Sequence, residues 1–152
     1  MQRRNILWTM FSSIGAAAVL AGTASRANAV NATGVDKAKV AYHLSELDRV
    51  NFVLGNIQSH FDGIGGPDKV KINLVIHGAA LKAFHSAQAS PELSLHVAQL
   101  AKMGLEMNAC INTMKAQNVS LKELLPGFTV ADRGAVVLLA DLQSQGYAYL
   151  RP

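Results

Sequence analysis

Apolar residues along this chain fall into two alternating patterns: short continuous runs bounded by turn residues, and longer stretches with apolar positions at helical spacing. The runs occupy residues 39–44, 70–76, 105–110, 128–131 and 147–150, each of strand length. They alternate little between apolar and polar, as strands do when both faces of a sheet are covered. Between the first two runs, Val50, Val53, Leu54, Ile57 and Phe61 predict a helix with Asp48 as its N-cap and residues 63–67 as its stop. Residues 78–88 predict a helix of their own. Ser90 followed by Pro91 then opens another, with Leu93, Val97, Leu100 and Ala101 on one face and Gly104 as terminator. The last helix is predicted over 132–145, with Ala135, Val136, Leu139 and Leu142 inward and Gly146 beyond its end. Strand, helix, strand repeated four times predicts right-handed crossovers, and with them an α/β three-layer sandwich around a mostly parallel sheet of about five strands.

The chain of 152 residues has room for one such domain. Half of its residues are hydrophobic and 16% are charged, which excludes a disordered chain or a coiled coil. The net charge of +4 is misleading about partners, because Arg3, Arg4 and Arg26 all fall near the start. Without them eleven cations face ten acids, and nothing in the remaining domain attracts nucleic acid or an acidic membrane.

Those early arginines belong to a different pattern. Arg3 and Arg4 precede an uncharged stretch, residues 5–25, that ends near Ala27-Asn28-Ala29, the small-x-small pattern of a signal peptidase site. The order Arg3-Arg4-Asn5-Ile6-Leu7 is that of a twin-arginine export signal. The expectation is a signal peptide over residues 1–29, cleaved after Ala29, and a periplasmic domain over 30–152, opened by a polar arm and free of the membrane after cleavage. Left uncleaved, the same stretch is long enough to serve as an anchor.

Open parallel sheets place their sites beyond the carboxyl ends of the strands. His43 lies toward the end of the first run, His77 follows the second, and Cys110 closes the third, so three reactive side chains share one edge. A thiol at a helix start sees unpaired N–H groups and the positive end of the helix dipole, which favour thiolate and lower its pKa. Thiolate is the form that attacks sulfur or holds a persulfide, provided it is reachable from solvent. The competing role for Cys110 is that of a small buried hydrophobe. His43 and His77 can orient an anion, move a proton, or join Cys110 as metal ligands, although three separate strands without a ligand-spacing motif do not define a metal site. His60, His85 and His96 sit on helical segments and are expected at the surface or in packing, and Met103, Met107 and Met114 in the core. As the only cysteine, Cys110 excludes an intramolecular disulfide and a CxxC pair. The glycines at 63–66 lack the lysine of a phosphate loop, and no GxSxG or HExxH motif occurs.

The ordered set Val75-Ile76-His77-Gly78, Leu100 to Gly104, Cys110-Ile111-Asn112-Thr113-Met114, Leu124-Leu125-Pro126-Gly127 and the terminal Gln145-Gly146-Tyr147-Ala148-Tyr149-Leu150-Arg151-Pro152 resembles the DsrE/DsrF-like family of sulfur-oxidation and sulfur-relay proteins. The likeness runs from about Lys39 to Pro152. It implies a small α/β subunit assembled as a homotrimer or homohexamer, with Cys110 at the position of a persulfide-carrying cysteine and His77 beside the same cleft. The export signal departs from the cytoplasmic setting of the relay members. The resulting expectation is a periplasmic sulfur carrier without a cofactor. In it Cys110 holds sulfane sulfur, Asn112 and Thr113 donate hydrogen bonds, His77 with His43 assists proton transfer, and the sulfur passes from a donor to an acceptor protein or small thiol. Two alternatives stay open: an envelope protein binding a metal or small ligand through Cys110, His77 and His43, and a structural oligomer of the same fold without catalysis.

Overall fold

The computed structural model describes residues 37–152. The expected export signal and its cleavage point at Ala29 lie outside these residues. Five strands and four α-helices alternate along them: β1 (Ala38–Leu44), α1 (Val50–Gly63), β2 (Val70–Ile76), α2 (Pro91–Lys102), β3 (Glu106–Cys110), α3 (Ile111–Gln117), β4 (Phe128–Ala131), α4 (Ala135–Ser144) and β5 (Ala148–Leu150). The strands lie in the order β4-β3-β2-β1-β5, and every neighbouring pair is parallel. The expected α/β sandwich is thus present, with a fully parallel sheet.

The strand order explains the layers. From β1 to β4 the chain steps across the sheet in one direction, so crossovers of constant hand place their helices on one face. The return to β5 runs the other way and puts α4 on the opposite face. Two apolar clusters follow. Tyr42, Leu44, Ile72, Leu74, Ile76 and Met107 pack against α1 and α2. Ala41, Val75 and Cys110 pack against Ala135, Leu139 and Leu142 of α4, and against Tyr147. Being central, β2 is covered on both faces, which is why Leu74, Val75 and Ile76 form an unbroken apolar run with no exposure.

Three local expectations are corrected. Asp48 does not cap α1; Leu47–Arg49 wind as one 3₁₀ turn, and α1 starts at Val50 without a side-chain cap. The helix expected over 78–88 is shorter, a 3₁₀ helix over Gly78–Phe84. Ties to other segments limit that piece: Ala80 N–H donates to Ser45 O at 3.0 Å, and Phe84 O accepts Leu125 N–H at 2.9 Å. Val136 faces outward at 73% exposure, because a turn ending in Gly134 delays the start of α4 to Ala135 and puts Ala135, Leu139 and Leu142 on the inner stripe. The Ser90 cap is present, with its Oγ accepting Leu93 N–H at 3.1 Å.

The face under α4 is polar where the helix does not cover it. Asn73 donates to Glu106 Oε2 at 2.9 Å and accepts from Asn108 at 2.8 Å, while Thr129 donates to Asn108 Oδ1 at 2.7 Å. Lys71 extends this ladder at 3.0 Å from Glu106 Oε1. Through it Asn73, at 5% exposure, meets its hydrogen-bonding needs inside the sheet.

Candidate functional site

Between β3 and β4 the helices part. Met114 of α3 joins the cluster on the α1 and α2 face, whereas α4 lies on the other. Such a divergence opens a crevice beyond the strand ends. Cys110 stands there, as the last residue of β3 and the N-cap of α3. Its β4 register partner is Ala131, and the chain then turns through Gly134 so that Ala135 N–H, at the start of α4, donates to Cys110 Sγ at 3.3 Å. Two helix N-termini therefore meet at one sulfur atom.

The electrostatics follow from that position. Burial pushes the Cys110 thiol pKa up, but backbone N–H groups of Thr113, Ala135 and Asn112, with the Thr113 hydroxyl, outweigh it and bring the pKa below its ordinary value. Thr113 is oriented for this task. Its Oγ1 accepts Gly78 N–H at 3.0 Å, which leaves the hydroxyl proton for the sulfur. The thiol is less open to solvent than expected: Cys110 is 5% exposed, enclosed by α4 and the neighbouring strands.

Gln117, one helical turn beyond Thr113 on α3, fastens the same loop. Its Nε2 donates to Gly78 O at 2.8 Å, and its Oε1 accepts from His85 Nε2 at 2.9 Å. Gly78 itself has φ +59, and a Cβ there would stand 3.2 Å from Ser45 O. Sequence reasoning missed Gln117, although its i, i+4 spacing from Thr113 is the signal that reveals it.

The two histidines meet each other. His43 Nε2 and His77 Nε2 are 2.6 Å apart, with nearly parallel rings, and His43 Nδ1 lies 2.7 Å from the Tyr149 hydroxyl. Burial lowers the pKa of both. The positive fields of His77 and Arg151 add to the effect on His43, and that of Arg151 adds to it on His77, with Glu46 opposing in each case. Arg151 bonds Ser45 Oγ at 3.2 Å and pairs with Glu46, and hydrogen bonds from Ser45 foremost and then Arg151 bring the Glu46 pKa down to about 2. Tyr149 also escaped the sequence analysis. It reaches His43 because β5 joins β1 in parallel and puts Tyr149 opposite Ala41, on the face that carries His43.

His77 and Cys110 follow the paired residues Ile76 and Ala109 on adjacent strands, so the fold brings them to neighbouring positions. Among the described residues no hydrogen bond joins a histidine to the sulfur; the histidines bond each other and Tyr149. Nor do three His, Cys, Asp or Glu side chains of the described residues group to hold a metal. The 2.6 Å contact between Nε2 atoms is itself too short for two ligands of one tetrahedral zinc, which at bond lengths of about 2.0–2.1 Å stand about 3.3 Å apart. The three-residue metal set is not formed. On the β4 side lies a cavity of about 260 Å³ lined by Asn108, Ala131, Asp132, Arg133, Gly134 and Asp141 among others.

Of the remaining histidines, His60 bonds the Tyr42 hydroxyl at 2.9 Å and His85 bonds Gln117, while His96 is half-buried on α2. Met107 and Met114 are core residues, and Met103 packs against the same apolar cluster.

Known structures share this fold. A protein of unknown function, MTH1491, from Methanobacterium thermoautotrophicum superposes with a TM-score of 0.67 at 24% identity, over 76% of this chain and all of its own. The ychN protein of E. coli gives 0.60 at 13% identity over 77% of this chain and all of its own, and the conserved protein of unknown function BT1422 from Bacteroides thetaiotaomicron 0.57 at 18% over 75% and 94%. At these identities the likeness establishes the fold. No curated protein matches the chain. Residues 19–152 match one family throughout, and the parallel sheet and crossovers are those the likeness implied. The chain belongs to the DsrE/DsrF-like family, whose function at family level is of the sulfur-relay type.

Proposed function

We propose that this protein is a periplasmic sulfur carrier in which Cys110 holds sulfane sulfur as a persulfide. The observation that carries the reading is the convergence of two helix N-termini on Cys110 Sγ, with Ala135 N–H at 3.3 Å. In the loading step the Cys110 thiolate attacks a sulfane sulfur of a persulfide or polysulfide. One S–S bond forms, the donor's S–S bond breaks, and the donor leaves as a thiolate or shortened polysulfide, so no external oxidant is needed. A slim polysulfide suits a sulfur that is 5% exposed. The outer atom of the persulfide then stands about 2 Å beyond Sγ, where an acceptor thiolate attacks it. With no second cysteine to resolve the persulfide, the acceptor is a partner protein or small thiol. Export by the twin-arginine route and assembly as a homotrimer or homohexamer are parts of the same proposal.

The test is alkylation of the native protein across pH. The reading predicts a single modification at Cys110 whose rate rises with a midpoint below the ordinary thiol range. A thiol that stays inert while the protein is folded would overturn it, and would favour the structural oligomer to which the burial of Cys110 also points.

A further inference from the structure

The chain Tyr149–His43–His77 holds more information than two separate bonds. A contact between two Nε2 atoms at 2.6 Å requires one proton between them, with one ring donating and the other accepting. The Tyr149 hydroxyl on His43 Nδ1 at 2.7 Å couples that choice to the far end. If Tyr149 donates, His43 carries its proton on Nε2, donates to His77, and leaves His77 protonated at Nδ1. If His43 donates to Tyr149 instead, His77 carries its proton on Nε2 and its Nδ1 is bare. The neutral chain thus has two arrangements, in which the histidines always hold opposite tautomers. Among the described residues nothing bonds His77 Nδ1, so this atom is the open end.

We propose that Tyr149, His43 and His77 form a proton relay that switches His77 Nδ1 between base and acid and connects the enclosed Cys110 cleft to solvent at the β5 edge. This rests on the carrier reading for its purpose. In the base arrangement, His77 Nδ1 takes the proton of the Cys110 thiol through one bridging water, since no hydrogen bond joins the two directly. His77 passes its Nε2 proton to His43 Nε2, His43 passes its Nδ1 proton to the Tyr149 oxygen, and Tyr149 releases its hydroxyl proton to water. One proton enters, one leaves, every relay group ends neutral, and the chain stands in its acid arrangement. After the sulfur has moved on, the reverse shift returns a proton to the Cys110 thiolate. Such a path matters because Cys110 is 5% exposed, whereas Tyr149 is 40% exposed. His77 follows Ile76, the last paired residue of β2, and Cys110 follows its partner Ala109, so the two continue adjacent strands.

The charged groups around the relay favour its neutral form. Arg151 at the end of β5 opposes charging either ring, while Glu46, which follows β1 and favours it, is paired with Arg151. Of the two titratable residues on β3, Cys110 closes the strand on the relay side, and Glu106 opens it at the other end, paired with Lys71.

Two measurements on the full chain test the relay. Long-range proton–nitrogen NMR of the imidazoles should find His43 and His77 in opposite tautomers; identical tautomers would overturn it. Tyr149→Phe keeps the ring and removes the proton exit. Its polysulfide loading rate should fall about tenfold at pH values below the thiol pKa and rejoin the wild-type rate above it, where the thiolate is already formed. Wild-type rates across the whole profile, or a loss of equal size at every pH, would overturn it. Opposite tautomers in a protein whose Cys110 never loads would leave the hydrogen-bond chain standing, remove the relay's role, and overturn the carrier reading.

Discussion

The backbone N–H of Ala135 donates to Cys110 Sγ at 3.3 Å, across 25 positions of sequence. Two features create this bond: the register that sets Ala131 beside Cys110, and a turn closed by Gly134 N–H on Ala131 O at 2.9 Å. The sulfur is therefore held by the start of its own helix and by the start of the helix that departs on the other face of the sheet.

Gly134 is the hinge of that second contact. Its φ is +95, and a Cβ there would lie 3.0 Å from Asn112 Nδ2. Gly134→Ala should lower stability by about 1–3 kcal/mol and shift the start of α4 away from the sulfur, raising the thiol pKa. Urea denaturation and the pH dependence of alkylation read the two effects separately. A destabilised variant with an unchanged thiol pKa would remove α4 from the account of the site.

Thr113 joins the sulfur to the loop that carries His77. Thr113→Val preserves shape while removing the hydroxyl that bonds the sulfur and accepts Gly78 N–H. The thiol pKa should rise, and stability should fall by about 1–3 kcal/mol because Gly78 N–H loses its partner. Titrating the thiolate absorbance of the variant against wild type checks the first effect.

The histidine pair predicts a direction for stability with pH. Burial disfavours the charged form of both rings, so their folded pKa values lie below the unfolded value of about 6.5. The unfolded chain then binds more protons in that interval. The contribution is fully present above about pH 6.5 and is lost as pH falls through the folded values. Denaturant midpoints measured from pH 7.5 downward should decline, and a variant carrying both His43→Gln and His77→Gln should decline less steeply. An equal slope in the two proteins would place the pH dependence elsewhere.

What the sequence made legible was the part governed by local rules. The run at 70–76 coincides with β2, and Ser90-Pro91 opens α2, because a doubly covered strand and an N-cap each write their requirement into adjacent residues. Val136 turns outward because the start of α4 depends on the Gly134 turn, and Asp48 does not cap α1 because a 3₁₀ turn intervenes. The site was legible as a set of residues and not as a set of contacts. Cys110, His77 and His43 do reach one sheet edge, yet β5 returning beside β1 supplies Tyr149, and α4 returning under β3 supplies Ala135. Both depend on the strand order, which no local pattern encodes.

The central claim is most directly tested by intact mass spectrometry of the native protein after brief treatment with inorganic polysulfide. The account predicts a gain of one sulfur atom per chain, reversed by a reducing thiol, absent from Cys110→Ser and slower to appear in His77→Ala. An equal gain in Cys110→Ser, or no gain in the wild-type chain, would contradict it.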